Sequence, residues 1–237
     1  MIIYGRNPVR EALRGPREVR RIWATKNAAR EPWLAGVRGG NLTLSIEPAA
    51  RLEELCRSAS HQGVCAGVSE FEYLSGGDLL SAHKPLIVAL DQVQDPQNLG
   101  SVCRAAECAG ATGLVVPERR AAAVTAAVCK ASAGAVEHLP VARVRNLVDF
   151  LAEAKAASLW CYGAEADAVS TYEKVDFSGG VVLVFGSEGR GLRPRVAGAC
   201  DLLLRIPLHG KVESLSVASA AAVLLYAASS QRYPTDK

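Results

Sequence analysis

The stretch DPQNLGSVCRAAECAG, which runs from Asp95 to Gly110, decides the fold class. It follows the apolar run LIVAL (86–90), which predicts a buried strand, and it predicts a helix from about residue 98 to residue 109. Two later segments have the same layout: VLVFGSEGRGL from Val182 and IPLHGKVESLSVASAAAVLLY from Ile206. Each places glycines or polar residues directly after an apolar strand. Because open α/β sheets bind ligands at the carboxyl ends of their strands, the three segments predict one common ligand site.

The chain is long enough for two domains. Its 237 residues, 49% of them hydrophobic, can bury one full core and leave enough for a second, smaller domain. Short helical and strand-like runs alternate over residues 1–75 and predict a compact α/β domain. The stretch YLSGGDLLSAHK, with Gly76-Gly77 at its centre, predicts a flexible linker over 76–84. Stronger strands and longer helices over 85–237 predict a larger α/β domain with a parallel sheet.

Basic residues are concentrated near the N-terminus. The net charge of +3 is ordinary and by itself indicates no nucleic-acid partner. Between residues 6 and 38, however, nine Lys or Arg residues stand against three Glu. Arginine suits bidentate contact with phosphate, so this region is a candidate polyanion-binding surface, and the alternative is a solvated helix face. The candidate phosphate contacts are Arg6, Arg10, Arg20 and Arg21.

Several protein classes are disfavoured. The 7 cysteines and 4 histidines have irregular spacings without a Cys-x-x-Cys pair, which predicts reduced thiols and no metal site. The longest apolar runs span about five to eight residues, whereas a membrane-spanning helix needs roughly 20. The N-terminus MIIYGRNPVREAL lacks the basic-then-apolar layout of a signal peptide. We therefore expect a cytoplasmic protein.

Individual residues of the three segments suggest chemistry, although each has an ordinary alternative. Asn98 is predicted to cap the helix of the first segment, which places Arg104 nearly two turns further along that helix. Arg104 then either contacts a ligand or is an ordinary surface arginine. Gly186 and Glu188 lie in a glycine-rich loop that either approaches a ligand or forms a tight turn. This loop has neither the Lys-Ser/Thr of a P-loop nor the G-x-G-x-x-G spacing, which weakens an NTPase or NAD interpretation. Ser214 is predicted to cap the last helix.

In these segments the chain resembles the SpoU-type (SPOUT-class) RNA 2′-O-ribose methyltransferases. The stretches 98–104, 186–191 and 206–216 match the three motifs of that family in residue type, order and spacing. The resemblance implies a Rossmann-like catalytic domain whose C-terminal segment threads through a loop as a trefoil knot. It also implies S-adenosylmethionine as the methyl donor, no metal, and a homodimer with a site completed across the interface.

The N-terminal region resembles a family RNA-binding domain that is similar to a ribosomal protein. IYGRNPVREAL, HQGVCAGV and KASAGAVEHLPVARVRNL, from residues 3, 61 and 130, are similar to the branch of the bacterial 23S ribosomal RNA guanosine-2′-O-methyltransferase (RlmB type). A thiostrepton-resistance methyltransferase shares the two-domain layout, and a tRNA guanosine methyltransferase shares the catalytic domain. The expected partner is therefore ribosomal RNA, free or in a ribosomal particle. A non-catalytic RNA-binding assembly factor is the alternative from another class.

The resemblance also implies roles for individual residues. Gly186, Ile206 and Leu215 would contact the methyl donor, whereas the polar site would comprise Asn98, Arg104, Glu188 and Ser214. The family proposal makes the arginine the general base, but a guanidinium hardly ever deprotonates in proteins. Our alternative hypothesis is that Arg104 binds a phosphate of the substrate and that Glu188 or water accepts the proton of the ribose hydroxyl. Where many members have Asn after Ser-Leu in the third motif, this chain has Ser216.

Overall fold

The computed structural model describes residues 1–35, 37 and 42–233. Arg38, one of the basic residues near the N-terminus, and the last four residues of the predicted catalytic domain lie outside this part.

The N-terminal region forms a small α/β domain around a four-stranded sheet in the order β1-β4-β2-β3. Its elements are β1 (Ile2–Tyr4), α1 (Arg6–Ala12), β2 (Val19–Ala24), α2 (Pro32–Ala35), β3 (Thr43–Ile46), α3 (Ala49–Cys56) and β4 (Val64–Val68). Strand β4 is antiparallel to β1 and β2, whereas β2 and β3 are parallel. Helix α1 begins after Gly5, whose φ of 100° suits glycine. The compact α/β fold expected for this region is confirmed.

The C-terminal region is a doubly covered parallel sheet of seven strands in the order β7-β6-β5-β10-β8-β11-β9. Its elements are α4 (Gly76–Leu80), β5 (Leu86–Leu90), α5 (Pro96–Cys108), β6 (Gly113–Pro117), α6 (Ala126–Ala131), β7 (Val141–Val144), α7 (Leu147–Ala156), β8 (Trp160–Ala164), β9 (Ser170–Thr171), β10 (Val181–Phe185), α8 (Pro194–Ala197), β11 (Leu202–Arg205) and α9 (Val217–Arg232). Every pairing in this sheet is parallel. The predicted α/β class with a parallel sheet is confirmed.

Alternate residues of the central strands pack on opposite faces of the sheet. On β5, Leu86, Val88 and Leu90 belong to one apolar cluster, which includes residues of α5, α6 and α9. Ile87 and Ala89 belong to the other, which includes residues of α4, α7 and α8. Because both faces are covered, ligands can approach the strands only at the edges of the sheet, and the carboxyl edge carries all three motif loops.

The segment predicted as a flexible linker is instead a packed element. Gly76 begins α4, and Ser75 and Asp78 form a capping box at its start. A Cβ at position 76 would lie 2.8 Å from Cδ2 of Phe150, so glycine allows a close approach of α4 to α7. The prediction of a hinge at Gly76-Gly77 is therefore wrong, because both glycines lie in a capped helix and Gly76 packs closely against α7.

The two domains are joined by a buried interface. The side chains of Arg17 and Glu137 form an ion pair across it, and they are only 6% and 1% exposed. A hydrogen bond of 3.0 Å also joins Nε2 of His138 to the carboxylate of Glu11. One apolar cluster also runs through both domains without interruption. The N-terminal domain is thus docked on the catalytic domain by packing as well as by charge.

Candidate functional site

A pocket of about 360 Å³ lies at the carboxyl edge of the parallel sheet. Its lining residues are Gln92, Val93, Gln94, Asp95, Asn98, Ser187, Glu188, Arg190 and Val217. They come from the loop after β5, the first turn of α5, the loop after β10 and the start of α9. The three motif segments therefore meet at one pocket, and two of the predicted polar site residues, Asn98 and Glu188, line it.

The start of α5 differs from the sequence prediction in its cap. Asp95 is the N-cap residue, and its carboxylate accepts hydrogen bonds from the backbone N–H groups of Gln97 and Asn98 at 3.2 and 3.1 Å. Pro96 occupies the first helical position, where no N–H is needed. Asn98 is therefore not the cap. Instead, its side chain lies in the first turn and lines the pocket.

The loop after β10 is closed tightly on itself. A Cβ at Gly186 would lie 2.0 Å from the carbonyl carbon of Gly191, so only glycine fits at position 186. The N–H of Gly191 donates a 3.0 Å hydrogen bond to the carbonyl of Ser187, and Gly191 has a φ of 63°. Glu188 is exposed at the tip of this turn. The loop thus presents a solvent-accessible carboxylate to the pocket.

The last helix begins later than the sequence predicts. Ser216, not Ser214, is the N-cap residue of α9, and its hydroxyl accepts a hydrogen bond from the N–H of Ser219 at 3.1 Å. Since Asn and Ser are about equally good N-cap residues, Ser216 can fill the capping role that an Asn would fill there. Ser214 lies in the exposed loop before the helix and does not line the pocket.

The loop between β11 and α9 presents apolar side chains to solvent beside the pocket. Leu208, Val212 and Leu215 are 39%, 74% and 41% exposed, whereas Ile206 packs against the core. Within the described chain, the backbone groups of 206–215 make no hydrogen bonds to other backbone groups. A loop with exposed apolar side chains and free N–H and C=O groups can cover an aromatic base and hydrogen-bond to its edge.

Arg104 is exposed in the middle of α5 and is not among the residues that line the pocket. One turn further on, Cys108 is exposed as well. Cys103, by contrast, faces the core, where burial raises the pKa of its thiol to about 12. Helix α9 packs beside α5 and exposes 55% of Tyr226. Helix α5 thus offers a cation to solvent, and helix α9 offers an aromatic ring.

A buried carboxylate that the sequence did not single out connects two of the motif loops. Asp91, directly after β5, has a fully buried side chain. It accepts hydrogen bonds from the N–H of Arg193 at 2.9 Å and from Nε of the same residue at 2.8 Å. Since Arg193 ends the glycine-rich loop, this contact holds that loop against the start of the first motif. The two residues lie 102 positions apart, so no local pattern indicates the pair.

Within the part of the chain that the structure describes, no group of three or more His, Cys, Asp or Glu side chains is placed to hold a metal ion. All seven cysteines are free thiols. No described helix is both long and apolar enough to cross a membrane.

Comparison with known families agrees with this arrangement. Residues 85–226 match the SpoU rRNA Methylase family. The chain belongs to this family. Residues 2–74 match a second family, described as the RNA 2'-O ribose methyltransferase substrate-binding domain. The predicted membership of the SpoU RNA methyltransferases is therefore confirmed, and so is the predicted order of a substrate-binding domain followed by a catalytic domain.

Several SpoU-type relatives match nearly the whole chain. A Bacillus subtilis protein named YacO, placed in the TrmH family of tRNA/rRNA methyltransferases, is 37% identical over 240 residues, which cover 98% of this chain and 96% of the relative. The crystal structure of an AdoMet-bound rRNA methyltransferase from Sinorhizobium meliloti has a TM-score of 0.80 and 28% identity, and the match covers 96% of this chain and 85% of that one.

A TrmH/SpoU tRNA modifying enzyme from A. aeolicus matches less of the chain. Its TM-score is 0.58 at 27% identity, and the match covers 66% of this chain and 80% of that one. Likeness to the rRNA enzyme thus extends over both domains, whereas likeness to the tRNA enzyme covers about two thirds of the chain.

Proposed function

We propose that this SpoU family member transfers a methyl group from S-adenosylmethionine to the ribose 2′-hydroxyl of a guanosine in 23S ribosomal RNA. One observation carries the proposal: Asn98 and Glu188, two residues of the family's polar site, line the same pocket at the carboxyl edge of the parallel sheet. The loop with exposed apolar side chains and free backbone groups lies beside it.

The residues beside the pocket fit the methyl donor. In this proposal, backbone groups of Gly186, Ile206 and Leu215 bind its adenine, and the exposed leucine covers one face of the ring. Glycine is required at position 186, because a side chain there would clash with Gly191 and keep the loop from closing tightly beside the pocket. When bound, S-adenosylmethionine supplies an electrophilic methyl group.

A ribose hydroxyl must lose its proton as it attacks. Two exposed carboxylates line the pocket, and that of Asp95 is already engaged as the cap of α5, which leaves Glu188 for this task. Glu188 lines the pocket and can accept the proton directly or through a water molecule. Asn98 can orient the hydroxyl by hydrogen bonding through its amide. Ser214, in the exposed loop before α9, completes the proposed polar site.

Arg104 has a different proposed role, because it is exposed on α5 and does not line the pocket of its own chain. We propose that it binds a phosphate of the substrate and stabilises the developing alkoxide. The test is the pH-rate profile of Arg104→Lys. If the profile shifts by whole pH units toward the pKa of lysine, this residue acts as the base and our assignment is wrong.

The exposed position of Arg104 also supports a homodimer. Helix α5 exposes Arg104, and the neighbouring α9 exposes Tyr226. In this proposal a second copy docks on these helices, and the arginine of one chain serves the pocket of the other.

We further propose a trefoil threading of the C-terminal segment. It is supported by the way β10 inserts between the earlier strands β5 and β8 before the chain returns to pack α9 on α5.

Ribosomal RNA is the proposed substrate because the likeness to the rRNA enzyme extends over both domains. In this proposal residues 1–75 bind the RNA, through Arg6, Arg10, Arg20 and Arg21 among others, and residues 85–237 carry out the transfer in the cytoplasm. A member of the RlmB-type branch would act in this way. A tRNA guanosine methyltransferase and a thiostrepton-resistance-type rRNA methyltransferase share the same chemistry and differ in the RNA they modify.

The decisive experiment measures transfer of labelled methyl groups from S-adenosylmethionine to 23S ribosomal RNA and to tRNA, both lacking native modifications, with the product nucleotide mapped. Modification of one 23S guanosine ribose is the expected result. Modification of tRNA alone would overturn the substrate while keeping the chemistry. Donor binding without transfer to free RNA or to ribosomal particles would favour a non-catalytic assembly factor.

A further inference from the structure

The carboxyl edge of the parallel sheet carries three exposed arginines outside the three motifs and a fourth within the second motif. Arg119 and Arg120 lie in the loop after β6, and Arg145 directly follows β7. Arg190, in the loop after β10, lines the pocket. All four are exposed. Because β7, β6, β5 and β10 are successive neighbours in the sheet, their loops lie side by side along one edge.

These arginines have no carboxylate partner within the described part of the chain, where every ion pair at 4.0 Å or less involves other residues. Arg143, although close in sequence, differs from them. Its guanidinium lies 3.7 Å from the centre of the Tyr73 ring and donates to the Tyr73 hydroxyl at 3.0 Å. Arg143 is therefore held by the protein, whereas the four edge arginines remain available to a ligand.

The charge along this edge is asymmetric. The loops after β6 and β7 (118–125 and 145–146) carry three arginines and one glutamate, Glu118. The loop after β8, on the other side of the pocket, carries Glu165 and Asp167 instead. A polyanion that reaches the pocket is thus attracted on the β6 and β7 side and repelled on the β8 side.

We propose that Arg119, Arg120 and Arg145 form a phosphate-binding strip, which leads the backbone of the substrate RNA along the carboxyl edge to the pocket. The strip rests on the proposed function, because it takes RNA as the substrate. From β7 to β10 there are three strand spacings, so the strip and Arg190 span about 14 Å. That distance is longer than a single nucleotide, so the strip contacts phosphates beside the modified residue.

This arrangement divides the work of binding between the domains. The N-terminal domain selects the RNA, and the strip fixes the direction in which the target strand crosses the catalytic domain. Because the strip arginines are solvated and unpaired, binding them to phosphate breaks no contact within the protein. Each phosphate contact releases counterions, which makes the affinity for RNA depend on salt.

The test is the triple variant R119Q/R120Q/R145Q, compared with the charge-matched control K84Q/K155Q/K174Q. The control lysines are exposed and lie before β5, in the last turn of α7 and before β10. Glutamine is used because Arg120 has a φ of 59°, and glutamine removes the charge while remaining polar and unbranched at Cβ, so the backbone demand does not change. The probe is unmodified 23S ribosomal RNA transcribed in vitro, with binding measured between about 50 and 200 mM salt.

A plot of log K for RNA binding against log salt concentration has a negative slope. We expect this slope to become less steep by about 2 to 3 in the triple variant and by less than about 1 in the control. The KM for RNA should rise roughly tenfold or more because the lost contacts act in binding. The kcat at saturating RNA and the Kd for S-adenosylmethionine should not change, since no strip residue touches the reacting atoms.

Three outcomes separate the strip from the proposed function. If the salt slope and the KM of the triple variant match those of the control, the strip does not bind RNA and the proposal is wrong. If kcat falls while KM is unchanged, these arginines act in the reaction and the strip is again wrong. If the native protein binds RNA but transfers no methyl group, the proposed function fails, and the change in slope still decides whether the strip exists.

Discussion

The arginines of the N-terminal domain and those of the carboxyl edge differ in what holds them. In the N-terminal domain, Arg6 pairs with Glu31 at 2.9 Å, and Arg20 pairs with Glu18 at 3.0 Å. Arg21 donates to the hydroxyl of Ser45 at 2.8 Å. At the carboxyl edge, Arg119, Arg120, Arg145 and Arg190 have no such partner among the described residues. The same residue type thus stabilises one region and is left free in the other.

The extreme case is Arg17, which is buried at the domain interface and paired with Glu137. Exposed ion pairs contribute only about 0 to 1 kcal/mol, so the surface arginines of the N-terminal domain can exchange a carboxylate for a phosphate at little cost. Arg17 cannot, because it is enclosed. The comparison teaches that a count of basic residues overstates the RNA-binding surface of the N-terminal domain, because it includes Arg17, and overlooks the exposed arginines at the carboxyl edge of the catalytic domain.

The largest effect is expected at the buried pair. Glu137→Gln leaves the Arg17 charge buried without its partner, which should lower the free energy of unfolding by about 3 to 5 kcal/mol. Urea unfolding followed by circular dichroism measures this. The double variant R17M/E137L removes both charges and should recover most of the loss. A loss below about 1 kcal/mol for Glu137→Gln would mean that the interface does not depend on the pair.

At the pocket the expected effect is on rate rather than stability. Glu188→Gln removes the proposed proton acceptor and should lower kcat by about 10² to 10⁴. Because the side chain is exposed, the free energy of unfolding should change by less than about 0.5 kcal/mol. Glu118→Gln, an exposed carboxylate on the same edge that does not line the pocket, is the matched control. Equal activity of the two variants in single-turnover methyl transfer would remove Glu188 from the reaction.

An intermediate effect on stability and rate is expected at the buried contact between Asp91 and Arg193. Asp91→Asn weakens the charged hydrogen bonds to Arg193 and should lower the free energy of unfolding by about 1.5 to 3 kcal/mol. Since this contact positions the loop that carries Glu188, kcat should fall more than KM rises. Asp167→Asn, at an exposed position, is the control. Unchanged kcat in a folded Asp91→Asn protein would limit this pair to a stabilising role.

The smallest effect should come from the exposed arginines of the N-terminal domain. In R20Q/R21Q the negative slope of log K for RNA against log salt should become less steep by about 1, compared with about 2 to 3 for the triple variant of the strip. The reason is that Arg21 is already engaged by Ser45 and lies 5.5 Å from the Trp23 ring. A larger change than that of the strip variant would reverse the comparison and return the main RNA surface to the N-terminal domain.

The sequence was most informative where apolar residues set the pattern. The sequence predicts a helix over residues 147–156 and a strand over 181–185, and α7 and β10 have these bounds, because a clear helical period and a run of five apolar residues leave few alternatives. The sequence does not predict strand β7, since VARV is only four residues long and contains a charged residue. Gly76 was misread as part of a hinge because close packing and flexibility both favour glycine.

The helix caps and the contacts between residues far apart in the chain could not be predicted from the sequence, for physical reasons. Asp95 and Asn98 can both cap α5, and Ser214 and Ser216 can both cap α9, so residue type does not decide between them. The pair of Asp91 and Arg193 forms only when two loops far apart in the chain meet at the sheet edge. Residue types and motif order thus indicated the pocket, whereas the contacts that shape it depend on the assembled sheet.

The place of β10 in the sheet affects how the protein folds during its synthesis. This strand lies between β5 and β8, both of which are synthesised before it, and its partner residue Leu86 precedes Val181 by 95 positions. During synthesis the sheet therefore has a gap at its centre until the chain is nearly complete, and α9 covers α5 only at the end. The N-terminal domain can form its sheet early, since all four of its strands lie within the first 68 residues. Folding of the catalytic domain must wait for the last part of the chain to leave the ribosome, and pairings this distant are slow to form.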